Sequence, residues 1–512
     1  MNKSVVVCFL LIAVLCFGAV FPAQADNIYS KWSNGPPSDG SYFMIGVFLQ
    51  QMKDLAAYKA IGVNTFVCID GATNSLNLQT LKDNNMYCIA SATEDEAWNH
   101  LSDKTFVAWR LPDEVDNYQH LYNIVKGKRF PTTGHYHSTS CAVSDSTCTE
   151  VRRLPTDQLL AMYDWIKQND PSRPIHCCFG CGVADTDTPN RGGGWNDSYY
   201  VDYSNASDLV GYDVYPVHGH GEDYIWMQGF GLNRLAGWAG GRAMWNFFEC
   251  QKPSGAVSEL TAQDLKCEIW MSIIHGSMGI QYFCHEFSPV EDDNAFLKYT
   301  DLTDMAKIVN NQITQLAQVL NSTSVLNKIT VSTSNAAVPI DFMVKEYNGV
   351  LYIFTCAGKT GTTKGTFFIN GFTGSTIANV LGEGRTISVD GGSFSDDFAK
   401  WDAHVYAVPV GSSGGSGTNP LDTIRVYPNP MNLSLSNTKK VKFDTIMMPD
   451  VVIKIYTAEG NIIKSINEAD FGNMGTAEWD LNDTSSISKG VYYFAAEDTA
   501  GHKKTGKIGI NK

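Results

Sequence analysis

The stretch "TFVAWRLPDEVDN" (residues 105–117) joins an apolar run to two adjacent carboxylates, Asp113 and Glu114. Seven further apolar runs lie at 42–50, 63–70, 86–92, 174–183, 208–217, 243–251 and 279–287. Amphipathic stretches with helix-capping residues separate them. Eight strands that alternate with helices over about 250 residues predict an α/β fold, a (β/α)8 TIM barrel. A doubly wound sheet is the alternative, but no G-x-G-x-x-G or P-loop follows the first strand.

The remainder of the chain divides by composition. Residues 1–25 combine a positive start, an apolar run and small residues, which predicts a cleaved signal peptide, with an uncleaved anchor as the alternative. We expect the catalytic barrel across 26–322, a small antiparallel β-sandwich at 323–410, a Gly/Ser linker at 411–419 and an immunoglobulin-like β domain at 420–512.

Charge and composition exclude several partners. The formal charge of −15 repels phosphate backbones, so we expect no nucleic acid. No second long apolar run follows the signal, so we expect no membrane span in the mature chain. Aromatic residues make up 12% of the chain, and exposed aromatic rings stack well on sugar rings.

The cysteines predict one disulfide. Cys141 and Cys148 bracket a short polar loop, "CAVSDSTC", and an exported chain favours their pairing. The motif "HCCFGC" (176–181) contains a C-x2-C that could form half of a zinc site. No second pair follows at ligand spacing, so we expect no metal and no cofactor.

Two glutamates lie at the predicted carboxyl ends of strands, where barrel enzymes have their catalytic residues. Glu114 follows the fourth strand and Glu249 ends the seventh, and active sites of this fold lie at the carboxyl ends of the strands. Cleavage of a glycosidic bond needs a proton donor and, for retention, an attacking carboxylate about 5 to 5.5 Å away. We therefore predict Glu114 and Glu249 as catalytic residues.

Other polar and aromatic residues fall at the same predicted rim. By alternation, Asp213 and Tyr215 should point the same way, toward the barrel or its site. The predicted substrate-binding residues are Gln50, Asp70, Trp109, Asp113, Trp195, Asp213, Tyr215, Trp245, His285 and Glu286.

Structural roles could explain the same residues. Asp113 or Glu114 could cap a helix that begins near Val115. Glu249 interrupts an apolar strand, where a structural ion pair with Arg110 or Arg242 would offset the cost of burying its charge. A tryptophan within a strand, such as Trp245, could pack in the core.

Four segments lie on or at the ends of predicted strands: "WRLPDEVDN" (109–117), "LVGYDVYPV" (209–217), "WNFFECQ" (245–251) and "GSMGIQYFCHEF" (276–287). Together they resemble the clan of retaining (β/α)8-barrel glycoside hydrolases. The resemblance implies Glu114 as acid/base, Glu249 as nucleophile, and Tyr215 as a hydrogen-bond donor to the nucleophile. The clan commonly has Asn before the acid/base glutamate, where this chain has Asp113, so which of the two carboxylates is the acid stays open.

The end of the chain carries a second resemblance. The "YPNP" start (427–430), the "KGVYYF" strand (489–494) and a basic final strand resemble the C-terminal sorting domain of type IX secretion substrates. The resemblance implies the secretion machinery as partner and a secreted or cell-surface protein. An ordinary immunoglobulin-like spacer is the alternative.

Together these observations predict a secreted glycoside hydrolase. We expect endo action on a β-linked polysaccharide or oligosaccharide, with retention by double displacement and without a cofactor. The rival hypothesis is a non-catalytic carbohydrate-binding or cell-surface protein on a degenerate barrel.

Overall fold

The computed structural model describes most of the chain after residue 27. The described residues are 28–117, 119–120, 122–131, 150–151, 153–185, 197–410, 421, 424–427, 429–433, 439–444, 451–458, 460–467, 470, 476–482, 487–498 and 502–511. The predicted signal peptide, the linker, Trp195, Cys141 and Cys148 lie outside these residues.

Eight parallel strands close into a barrel, as the sequence predicts. In order around the ring they run β1, β8, β7, β6, β5, β4, β3, β2, so that β1 pairs with both β2 and β8. Their bounds are β1 Met44–Phe48, β2 Thr65–Val67, β3 Tyr87–Ser91, β4 Phe106–Arg110, β5 Ile175–Phe179, β6 Leu209–Tyr212, β7 Ala243–Glu249 and β8 Ser277–Phe283.

Helices follow the strands and cover the barrel. They begin at capping residues that the sequence supplies: Asn74 accepts from the amide of Asn77, and Thr261 with Asp264 forms a capping box. The helices are α1 Leu55–Ala60, α2 Ser75–Asp83, α3 Thr156–Asn169, α4 Asp197–Asn205, α5 Pro216–Gly219, α6 Met227–Ala239, α7 Ala262–Ile274, α8 Thr300–Gln315 and α9 Ala317–Leu320.

Buried side chains form separate layers inside and outside the ring. One cluster draws on strands all around the barrel, with Val67, Cys178 and Trp245 among its members, and fills the interior. A larger cluster includes Trp109 and Phe248, together with residues of the helices, and packs the helices onto the strands. A side chain's direction at the end of a strand therefore decides whether it reaches the mouth of the barrel.

The β-sandwich follows α9. Its two sheets have the strand orders β9-β12-β15 and β10-β11-β16-β13-β14. The bounds are β9 Ile329–Thr333, β10 Asp341–Tyr347, β11 Val350–Cys356, β12 Thr363–Ile369, β13 Thr376–Val380, β14 Arg385–Val389, β15 Ser393–Phe398 and β16 Ala403–Pro409.

Helix α7 packs against the sandwich as well as the barrel. The ring of Trp270 lies 5.6 Å from that of Phe354, and Gln263 Nε2 donates to the carbonyl of Trp401 at 2.8 Å. Tyr352, Phe354 and Cys356 belong to the same core cluster as the barrel helices. The barrel and the sandwich therefore share one core.

The C-terminal β module has its own core, in which Trp479 is buried. Its sheets have the orders β17-β19-β22 and β18-β24-β23-β20-β21. The bounds are β17 Arg425–Tyr427, β18 Met431–Asn432, β19 Lys440–Asp444, β20 Val452–Tyr456, β21 Ile462–Ile466, β22 Thr476–Asp480, β23 Gly490–Glu497 and β24 Lys503–Asn511.

Candidate active site

The segment after β4 presents Asp113 and Glu114 at the mouth of the barrel. The side chain of Asp113 is half exposed, and that of Glu114 is half-buried. Glu114 has a φ of 43°, a left-handed conformation that residues with a Cβ adopt rarely and that often marks a functional turn. Asn117 stabilises this turn, because its Nδ2 donates to Glu114 Oε2 at 2.6 Å and its amide donates to the carbonyl of Glu114 at 2.8 Å.

The end of β6 presents Asp213 and Tyr215 to the same place. The hydroxyl of Tyr215 donates to Asp213 Oδ2 at 3.1 Å. Burial raises the pKa of Tyr215 well above its ordinary value, and the charges of Asp213, Glu114 and Asp113 raise it further. The phenol therefore keeps its proton and acts as a donor to Asp213 at neutral pH.

The same carboxylates also affect the pKa of a buried thiol, that of Cys178. Burial raises the pKa of Cys178 well above its ordinary value, Arg110 lowers it, and Asp213, Asp113 and Glu114 each raise it. Carboxylates from two strand ends thus act on one buried group below the mouth. We call Arg110, Asp113, Glu114, Asp213 and Tyr215 the mouth cluster.

Arg110 forms the floor of the mouth cluster. Its side chain is buried, with the guanidinium carbon 4.3 Å from the ring centre of Phe48, and its Nη2 lies 2.5 Å from Asp113 Oδ1. Burial opposes the charge of Arg110, but Asp113 and nearby thiols outweigh burial and hold the pKa of Arg110 above its ordinary value. Arg110 is thus an ion-pair partner of Asp113, whereas the sequence suggested it for Glu249.

Asp116 is a third acidic residue of this segment, and the sequence reasoning missed it. Its carboxylate is buried and accepts from the amide of Gly180 at 2.7 Å and from the hydroxyl of Tyr200 at 2.9 Å. Burial raises the pKa of Asp116 to about 7, and the charge of Glu114 contributes. The signal was present in the sequence, since "DEVDN" carries three acids within four positions.

Glu249 lies at the end of β7, as expected, but its side chain is fully buried. Its two oxygens accept from the amides of Val217 and His218, at 2.7 and 3.0 Å, at the start of helix α5. The Nδ1 of His218 lies 2.7 Å from Oε2. These partners replace the arginine that the sequence suggested, and they leave no solvent-accessible face for an attack on a sugar.

Behind Glu249 lies a second buried glutamate, Glu268 of helix α7. Burial raises the pKa of Glu268 well above its ordinary value, and the neighbouring Glu249 raises it further. Gln228 Nε2 donates to Glu268 Oε2 at 3.3 Å, and Gln228 Oε1 accepts from Asn246. We call Glu249 and Glu268 the buried carboxyl pair.

Three predicted binding residues are almost fully buried. Trp109 points outward from β4, stacks on Trp98 and donates from Nε1 to Asp170. Trp245 lies inside the barrel and donates from Nε1 to the hydroxyl of Tyr29. Gln50 accepts from Tyr58 and donates to backbone carbonyls. This burial does not support the prediction that the three contact substrate, because core packing and hydrogen bonds already occupy their side chains.

The remaining predicted rim residues differ in access. Asp70 is exposed just after β2, and His285 is half-buried after β8, with Nε2 3.2 Å from the carbonyl of Leu49. Glu286 is buried and accepts from the hydroxyl of Tyr299 at 2.7 Å, which directs it toward the start of α8. Asp70 and His285 are therefore available at the rim, whereas the geometry does not support substrate binding by Glu286.

An aromatic series leads from the mouth cluster to the outside. The rings of Tyr215 and Phe283 stack at 5.2 Å, those of Phe283 and His285 at 5.5 Å, and Phe287 lies 6.0 Å from Phe283. Phe287 is 65% exposed. We call these four residues the rim strip. No periodic pattern in the sequence predicts Phe283 and Phe287 as a pair at the rim, because Phe287 lies in a loop.

The zinc alternative receives no geometric support from the described part of the chain. The residues of "HCCFGC" point to different layers: Cys178 lies in the interior cluster and Cys177 in the outer one. Across the described residues, no group of three or more His, Cys, Asp or Glu side chains is arranged to hold a metal ion.

Comparisons with known proteins identify the C-terminal module. Residues 425–511 match the family described as the secretion system C-terminal sorting domain. This match confirms the predicted sorting domain, and the protein is secreted or located at the cell surface. Among the described residues, no helix has both the length and the apolar character required to cross a membrane.

Solved structures that resemble the chain include three enzymes, each at low sequence identity. An α-amylase from Geobacillus thermoleovorans is 8% identical, with 72% of this chain and 98% of that chain covered and a TM-score of 0.44. A GH30 endoxylanase from Clostridium papyrosolvens is 12% identical, with 72% and 97% covered and a TM-score of 0.35. An endo-β-1,4-mannanase from Thermotoga petrophila is 9% identical, with 92% and 98% covered and a TM-score of 0.35. A comparison with curated protein sequences finds no match.

Proposed function

We propose that the protein is a glycoside hydrolase that acts outside the cell on a polysaccharide. The single observation that carries this proposal is the mouth cluster, in which three carboxylates and a protonated phenol meet at the open end of the barrel. Carboxylates in such a pair can supply both the acid and the second group that glycosidic cleavage requires. Export through the sorting domain fits a polymeric substrate that cannot enter the cell.

In this proposal Glu114 protonates the glycosidic oxygen. Asp113 is the weaker candidate for the acid, because the buried Arg110 already holds its carboxylate in an ion pair. The side-chain amide of Asn117 donates to Glu114 Oε2 and orients the carboxyl group of Glu114. We therefore propose Glu114 as the acid and Asp113 as a substrate-binding group.

We propose Asp213 as the second carboxylate, in place of Glu249. The Tyr215 hydroxyl donates to Asp213, as a donor would to a nucleophile that must stay ionised, whereas Glu249 is closed off by the start of α5 and by His218. Asp213 would attack the anomeric carbon as the leaving oxygen takes the proton of Glu114. Glu114 would then remove a proton from water, which releases the sugar with retention.

The rim strip supports a sugar chain rather than a small glycoside as substrate. Aromatic faces bind pyranose rings through their apolar faces, and this strip extends away from the mouth cluster to the exposed Phe287. A groove that continues beyond the bond to be cut suits internal cleavage. We therefore keep β-linked polysaccharide and endo action as part of the proposal.

The C-terminal module would take a separate role in this proposal. It engages the secretion machinery during export, and the hydrolase acts after the barrel has crossed the outer membrane. Removal of residues 420–512 should block export without changing the turnover of the purified barrel and sandwich.

A panel of β-glucans, mannans, xylans and galactans, with analysis of the products, tests the proposal. Wild type should release oligosaccharides of mixed length from at least one polymer, and D213N should not. The matched control is E346Q, which changes an exposed carboxylate of the sandwich to an amide and should keep wild-type turnover. Binding of a polymer by wild type without any cleavage would instead support the carbohydrate-binding alternative, which the burial of Glu249 favours.

A further inference from the structure

Two buried cysteines meet at the contact between the barrel and the sandwich. Cys267 lies on helix α7 and Cys356 at the end of strand β11, 89 residues apart in the sequence. Their Sγ atoms are 3.1 Å apart, and both side chains are fully buried. The distance exceeds an S–S bond by only about 1 Å, so a small movement of either side chain would bring the sulfurs into bonding distance.

The cellular location of the protein favours oxidation of these two thiols. A protein with a secretion sorting domain folds outside the reducing cytoplasm, where adjacent thiols become disulfides. The other close pair in the described residues, Cys250 and Cys284, has its Sγ atoms 4.0 Å apart, compared with 3.1 Å for Cys267 and Cys356. Cys267 and Cys356 are thus the better placed pair.

We propose that Cys267 and Cys356 form a disulfide that ties helix α7 of the barrel to strand β11 of the sandwich. This site differs from the predicted Cys141–Cys148 pair, whose cysteines are close together in the sequence. The inference rests on the sorting domain and on the thiol geometry, and it stands or falls independently of the proposed hydrolase activity.

The bond forms by exchange with the disulfide of a periplasmic oxidoreductase, which supplies the oxidising equivalents. One thiol of the pair, as a thiolate, attacks a sulfur of that disulfide, forms a mixed disulfide and releases one thiolate of the oxidoreductase. The second thiolate attacks the protein's own sulfur in the mixed disulfide, closes the Cys267–Cys356 bond and releases the reduced oxidoreductase. The two cysteines lose two electrons and two protons, and the oxidoreductase gains two electrons as a dithiol.

The order of folding and oxidation follows from burial. Burial raises the pKa of Cys267 well above its ordinary value, so the thiolate that exchange requires is scarce in the folded protein. The exchange therefore takes place while the chain folds, before α7 closes over the sandwich. Once formed, the bond holds α7 and with it Glu268, the neighbouring residue in the buried carboxyl pair.

Peptide mapping of the exported protein tests the bond. The full-length chain is purified without reductant, its free thiols are alkylated under denaturing conditions, and the digest is analysed by mass spectrometry. The expected result is a linked peptide that contains Cys267 and Cys356 and disappears on reduction. Recovery of both cysteines in alkylated form, or a link of either to a different cysteine, would overturn the proposal.

Thermal unfolding with and without reductant gives a second readout. The Tm of wild type should fall by several degrees on reduction. The C267A/C356A variant lacks the proposed disulfide, so its Tm should not show this decrease. C88A is the control for removal of a buried thiol and should keep the wild-type response, and C141A/C148A separates the contribution of the other predicted pair. An equal response to reductant in wild type and C267A/C356A would contradict the proposed bond.

Discussion

The mouth cluster and the buried carboxyl pair both consist of acids at or beside the carboxyl ends of barrel strands, yet they differ in access. Asp113, Glu114 and Asp213 retain contact with solvent, whereas Glu249 and Glu268 have none. The carboxylate of Glu249 is occupied by two amides and a histidine, which are typical partners of a structural charge.

The difference shows that an acid at a strand end needs access to solvent as well as that position before it can act in catalysis. Helix α5 begins immediately after the β6 segment that carries Asp213 and Tyr215, and its first amides face Glu249. The same short segment therefore presents Asp213 at the mouth and shields Glu249 from solvent. The predictions below test this division of roles.

The largest effect is expected for E114Q. Loss of the proton donor should lower kcat on polysaccharide by about 10²- to 10⁴-fold, the usual range for a general acid. The loss should be much smaller on an aryl glycoside with a dinitrophenyl leaving group, because that group departs without protonation. Steady-state rates on both substrates check this. An equal loss on the two substrates would assign Glu114 a role other than the acid.

The next effect is on stability, in the buried carboxyl pair. E249Q should lower the free energy of unfolding by about 2 kcal/mol, because an amide cannot accept from all three donors that the carboxylate satisfies. Denaturant titration measures this change. E346Q, the exposed control, should unfold like wild type, and a wild-type unfolding curve for E249Q would show that its partners contribute little.

An effect of similar size concerns the pH dependence of stability. The pKa of Asp116 is about 7 in the folded protein and about 4 when unfolded, so the folded state binds its proton more tightly. Asp116 therefore stabilises the fold less and less as the pH rises from about 4 to about 7. The free energy of unfolding of wild type should fall between pH 5 and pH 8. In D116N this fall should be smaller by about 2 kcal/mol.

Denaturant titrations at the two pH values measure this difference. Glu268, whose pKa is also raised, contributes with the same sign in both proteins and cancels from the comparison. An unchanged pH dependence in D116N would mean that Asp116 is ionised in the folded state throughout this range.

The smallest effect is expected in the rim strip. F287A should raise KM for long polymers several-fold with little change in kcat, because about 1 kcal/mol of aromatic stacking is lost on the ground state and transition state alike. F287W should restore binding. Short oligosaccharides that do not reach Phe287 serve as the control, and an equal rise in KM for them would contradict a distal subsite.

Much of the fold was predictable from local pattern. The eight apolar runs correspond to the eight barrel strands, and the polar residues Asn74 and Thr261 cap two of the helices between them. The sorting domain was also predictable, since "YPNP" and "KGVYYF" are local motifs that the family match covers or overlaps. These features depend on residues that are close in sequence.

The site was only partly predictable, because access depends on distant segments. Alternation on β7 places Trp245 and Phe247 inside the barrel and therefore directs Glu249 inward. The sequence does not show that amides about 30 positions earlier donate to the carboxylate of Glu249. On β4 the sequence could not tell that Trp109 would face the helices while Arg110 faced the interior. Phe287 lies in a loop, where no periodicity indicates direction.

The most direct measurement of the central claim is kcat/KM of D213N and E249Q on the same polysaccharide, at a temperature where both variants are folded. The account predicts that D213N loses at least about 10³-fold while E249Q stays within about tenfold of wild type. A large loss in E249Q beside near-normal turnover in D213N would contradict it, and would return the nucleophile to the end of β7.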